Sequence, residues 1–87
     1  MKSVYKYSLT YEDCVVVAMP VGAEILHFGI QGNTPAVWAL VDRDEKGTDD
    51  RVLCLAGTGH DIPEEIIAHI GSVTDPLSLV WHLFEVR

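Results

Sequence analysis

Few residues of this chain combine the type and the spacing that chemistry needs. The four histidines, His27, His60, His69 and His82, come first. None stands in an HxH, HExxH or Cys/His cluster, the spacings that bring imidazoles to one metal ion. No metal site is expected from them. His27, His69 and His82 fall in apolar runs that read as strands, where a histidine usually serves as a hydrogen-bonded core or rim residue. Ser72, Ser78, Cys14 and Cys54 are poor candidates for a nucleophile. Nothing in the sequence marks a base beside any of them, so no catalytic residue is assigned and no cofactor is expected.

His60 differs because it closes a glycine-containing loop. Successive amides of Gly57, Thr58, Gly59 and His60 can form a nest for a small anion. The lysine and the full spacing of a P-loop are absent. A tight turn that simply needs glycine is the plainer reading. If the chain binds a small anion, a nucleotide-type signal for example, these four residues are where it is expected. Trp38 and Trp81 sit mid-strand and Phe84 follows in the last strand. Such aromatics are core residues, or anchors for a partner where they stay exposed.

The elements that must position these residues are strands. Glu24 to Asp42 reads as two apolar arms folded back at Gly32-Asn33, a dipeptide suited to a two-residue hairpin turn. The other strands read as additions to that hairpin. Met1 to Leu9 alternates, with Tyr5, Tyr7 and Leu9 inward or at a rim. Cys14 to Met19 is a β-branched run ended by Pro20-Val21-Gly22. Asp42 to Asp50 reads as a solvated hairpin tip without the spacing of an EF-hand loop. Arg51 to Ala56 returns as a strand. Asp61 and Glu64 imitate a capping box, which allows one short helix between Asp61 and Ala68. Ile66 to Thr74 could extend it or form a strand, and its second half favours strand. Asp75-Pro76 turns the chain into a last strand over Leu79 to Val86. The fold class is therefore all-β, or β-rich α+β. It is a small antiparallel sandwich or barrel of about seven short strands with at most one short helix.

Eighty-seven residues make one domain with a modest core. A net charge of −7 disfavours direct contact with nucleic acid or anionic membranes. It suits solubility, a basic partner protein or mimicry of nucleic acid. No apolar run approaches the ~20 residues of a bilayer span. Cys14 and Cys54 lack CxxC spacing, and nothing at the start reads as a signal peptide. Both cysteines are expected as small buried residues in a reducing cytoplasm. A disulfide between neighbouring strands stays open.

Three strands are apolar on both faces. Val37, Ala39 and Val41 oppose Ala36, Trp38 and Leu40. The strand from Arg51 is similar, and Leu79, Trp81 and Leu83 oppose Val80, His82, Phe84 and Val86. One small sheet buries one such face, so a homo-oligomer, a dimer first of all, is expected to cover the other.

The series YKY, MPVGAEILHFGIQ, PAVWALVD, GTGH, IGSV and LVWHLFE resembles a family of short uncharacterised proteins of phages and prophages. The resemblance covers almost the whole chain and carries no catalytic residues with it. It implies an accessory protein of the bacterial host cytoplasm that binds and inhibits a host protein, such as a defence component. Sequestration of a nucleotide-type signal through the 57–60 loop is the alternative.

Overall fold

Gly32 and Asn33 form the two-residue turn that their types demand. Only Gly32 has a positive φ, 63°, as a type II′ turn requires at its first central position. The turn joins β3 (Glu24–Gln31) to β4 (Thr34–Asp42), and Gln31 pairs with Thr34 across it. The computed structural model describes residues 1–62 and 65–87. Its other strands are β1 (Lys2–Ser8), β2 (Cys14–Pro20), β5 (Thr48–Gly57), β6 (Ile66–Thr74) and β7 (Val80–Val86).

Among the described residues, seven strands form two antiparallel sheets that pack face to face as a sandwich. The first has three strands in the order β1-β4-β3, and the second has four in the order β2-β5-β7-β6. Two expectations about layout are corrected here. Only β1 is added to the β3–β4 hairpin; the other four strands make a sheet of their own. The charged stretch from Asp42 to Asp50 is no hairpin tip, because β4 and β5 lie in different sheets. It carries the crossover, and Asp42 and Asp44 hold the amino group of Met1 at 3.2 and 2.8 Å.

The described residues contain no helix, and none long and apolar enough to cross a membrane. Ile66 to Ala68, the end of the allowed helix, is already strand. Asp61 and Ile62 have no regular structure. Pro63 and Glu64, with the rest of the capping-box reading, lie outside the described residues.

Period-two alternation decides which face is covered. Val37, Ala39 and Val41 of β4 point inward and are fully buried. They meet Leu53 and Leu55 of β5, Leu83 of β7, Met19 of β2 and Phe28 of β3. Tyr7 packs against this core, while Tyr5 sits at its rim, half exposed. Each sheet thereby covers the other's inner face. The outer faces keep the second apolar sets: Val4, Trp38 and Leu40 on one sheet, Val16, Ile66, Val80 and Phe84 on the other.

The cysteine expectation is also corrected. Cys14 and Cys54 are directly opposite in the β2–β5 ladder and are joined as a disulfide. Cys54 is buried but Cys14 is exposed, since β2 is an edge strand and Cys14 lies on the outer face.

Candidate functional site

Register brings two separate candidates together. Gly57 ends β5 opposite Trp81 of β7, so the loop that follows must lie beside the indole. His60 folds back over Gly57. Its amide donates to the Gly57 carbonyl at 3.0 Å, and the Gly57 amide donates to His60 Nδ1 at 3.1 Å. A Cβ on residue 57 would come within 2.9 Å of the imidazole, so glycine is what lets the ring close. Gly59 supplies the positive φ, 91°, that the reversal needs. The ring then meets Trp81 edge-on, with centroids 6.1 Å apart.

This closure removes the amides that a nest would use. Gly57 and His60 donate within the loop, and the Thr58 amide donates to Val80 O at 3.3 Å. Gly57, Thr58 and His60 instead line a cleft of about 380 Å³ with Ser78, Leu79, Val80 and Trp81. Leu79 and Trp81 also line a second cleft of about 480 Å³, with Tyr11, Asn33, Asp75, Pro76 and Leu77. On the far side of His60 lies a third, bordered by Asp13, Asp61 and Ile62.

Asp75 organises the apolar end. Its carboxylate accepts from Trp81 Nε1 at 2.9 Å and from the amides of Leu77 and Leu79 at 2.8 and 2.9 Å. The turn holds Ser78 at φ 66°, a conformation that costs a non-glycine residue energy. Tyr11 packs on the other side of the indole, 5.4 Å between centroids. The result presents Leu77, 80% exposed, and Leu79, 52% exposed, beside a fixed tryptophan.

Donation from Trp81 first, and then from the two amides, holds the Asp75 carboxyl below the usual carboxylate range. A lowered folded-state pKa adds stability above the unfolded value of about 3.9 and loses it as pH falls through the folded value. Acidification below about pH 4 is therefore expected to release Trp81 from Asp75. Tryptophan fluorescence should show a step there that Asp75→Asn lacks. A step of equal size in the variant would show that another group controls the indole.

The other candidates are dispersed. Trp38 lies on the outer face of the three-stranded sheet, its ring tilted against that of His27 with centroids 5.4 Å apart. Phe84 lies on the outer face of the four-stranded sheet, beside His69 at 5.2 Å. The three aromatic anchors thus belong to three surfaces. One group that the sequence reading missed is a polar chain on the second of these. Ser72 Oγ lies 2.7 Å from His82 Nδ1 and 3.2 Å from His69 Nε2, and His82 Nε2 lies 2.9 Å from Thr58 Oγ1. Ser72 therefore has an imidazole beside it after all. The signal was the Asp75-Pro76 turn: a hairpin folded there sets residue 72 opposite 82. Each ring nitrogen of His82 faces a hydroxyl, which fixes the ring and satisfies the polar groups of an otherwise apolar face. The described residues hold no group of three or more His, Cys, Asp or Glu side chains placed for a metal ion.

Fold and surface together define a small β-sandwich with open clefts and an apolar end. The chain belongs to the family described as Domain of unknown function (DUF7352), which it matches over residues 1–87. No curated protein and no solved structure matches it.

Proposed function

We propose that this chain is a non-catalytic binding protein that docks on another protein through its Trp81 end. The carrying observation is the clasped, half-exposed cluster of Tyr11, Leu77, Leu79 and Trp81. An indole fixed before binding, with aliphatic side chains on a fixed turn beside it, is what a protein hot spot needs, because little entropy of the indole remains to be lost. Asp13 and Asp61 flank the neighbouring cleft. With a net charge of −7, this end suits a partner that offers an apolar knob with basic residues around it.

The phage-type resemblance supplies the context of this reading. The partner is a host protein of the bacterial cytoplasm, a defence component for instance, and occupation of its surface inhibits it. Sequestration of a nucleotide-type signal is the weaker reading, because three of the loop amides it would use already have acceptors.

Affinity capture from a bacterial lysate tests the proposal. The wild-type chain is expected to retain one protein in stoichiometric amount. Leu79→Asp, at an exposed position, should weaken that complex by about 30-fold or more, the effect of losing one hot-spot anchor. Recovery of a small anion with no protein, or equal capture by Leu79→Asp, would overturn docking at this end.

A further inference from the structure

We propose that β2 is a dimerisation edge: two copies pair β2 with β2 antiparallel and join their four-stranded sheets into one sheet of eight. The inference starts from the four edge strands, β1 and β3 in one sheet, β2 and β6 in the other. An unprotected edge presents free N–H and C=O groups to any other strand, and sheets guard against this with charges, bulges or cover. β1 carries Lys2 and Lys6. β3 has a register shift between Ile25 and His27, and β6 has two, between Ile66 and Ala68 and between His69 and Gly71. β2, CVVVAMP, has no charge and no register shift, and its proline stands at the very end. Of the four edges, this one alone is left open.

The backbone directions show what the edge offers. The Asp13 carbonyl accepts from the Leu55 amide at 2.8 Å, and the Val21 amide donates to Gly47 O at 3.0 Å. In an antiparallel ladder every second residue bonds the same neighbour. Residues 13, 15, 17, 19 and 21 therefore face β5. Cys14, Val16 and Ala18 point their N–H and C=O groups away from it. The 4.0 Å Cα separation of Cys14 and Cys54 agrees, being near that of a non-hydrogen-bonded pair.

A second copy is the occupant that the chemistry selects. Two chains of charge −7 repel, so they meet best where neither carries charge. Beside β2, the outer face presents Val16, Ala18, Val52 and Phe84, with Asp50 and His82 as its polar members. An antiparallel strand is its own complement about a two-fold axis, so the same donors and acceptors serve both copies. Val16, 64% exposed, is then covered by the partner strand. This pairing uses no residue of the Trp81 end.

Sedimentation equilibrium at tens of micromolar tests it, and wild type is expected at twice 9.6 kDa. The Val16 amide points away from β5, so Val16→Pro should sediment at 9.6 kDa with an unchanged far-UV spectrum. Val16→Lys, which leaves the backbone intact, should weaken the dimer at least tenfold. The Val16 and Ala18 amides should exchange slowly in wild type. A monomeric wild type, a dimer that survives both substitutions, or fast exchange at these amides in the dimer would each overturn the proposal.

Discussion

Reduction of the Cys14–Cys54 disulfide is expected to lower the stability of the folded chain by about 4 kcal/mol. The link closes a loop across a sequence separation of 40, and the unfolded chain regains that freedom when it opens. A domain of this size is held by only about 5–15 kcal/mol, so the loss is a large share of the total. With a urea slope of about 1–2 kcal/mol/M, the midpoint should fall by about 2–4 M on adding reductant. Cys14→Ser should behave like the reduced protein. Within the chain β2 is an edge strand paired with β5, so the β2 amides that face β5 should lose exchange protection before those of β4 or β7. Identical midpoints with and without reductant would show that the bond does not constrain the chain. The exposed Cys14 sulfur is where a thiol attacks, with the buried Cys54 as leaving group. In a reducing cytoplasm the ladder alone holds β2 in place.

Removal of Glu85 is expected to cost about 2–4 kcal/mol, at the lower side of what breaking a buried pair costs because some solvent reaches this one. Glu85 accepts from Arg51 Nε and Nη2, the latter at 2.8 Å, and Arg51 Nη1 donates to Ala23 O at 2.8 Å. The side chains are 21% and 14% exposed. Both lie on the inner side of the four-stranded sheet, where alternation with Leu53 and Leu83 puts them. Glu85 holds the Arg51 guanidinium charged, its pKa raised further still. Glu85→Ala would leave that charge half-buried, with the Ala23 carbonyl and the field of Asp49 but no paired carboxylate. The double variant Arg51→Met/Glu85→Leu should recover most of the loss, since apolar replacements need no counter-charge. Arg51→Lys should not match wild type, because an ammonium cannot make the forked contact and reach Ala23 O as well. Urea unfolding of wild type, Arg51→Met, Glu85→Leu and the double variant measures the cycle, and additive single effects would show that the pair is not coupled.

The strands themselves were legible because their signals are local. Alternation in Val37 to Val41 and in Val80 to Val86, and the Gly32-Asn33 turn, appear where they were expected. The partition into two sheets was not. A short polar connection after an apolar strand serves a hairpin or a crossover equally well, and nothing between Arg43 and Gly47 distinguishes them. The Cys14–Cys54 bond joins positions too distant in sequence to leave a local trace. The 57–60 loop was found for its glycines, but the imidazole that fills it became visible only once Gly57 was set opposite Trp81. Nothing local in the sequence pairs Arg51 with Glu85, and only the shared β5–β7 register turns them toward each other.

The strand order also sets how this chain must reach its fold. Among the adjacent pairs, β3–β4 and β6–β7 are neighbours in sequence; β1–β4, β2–β5 and β5–β7 join strands that are not consecutive. Each distant pairing must meet its loop-closure entropy before its contacts form. Refolding on the millisecond-to-second scale of sandwiches follows, with the two hairpins as the segments able to form first. β1 then docks on the first hairpin, and β5 and after it β2 on the second, so an incompletely folded chain is one whose two hairpins still await these strands.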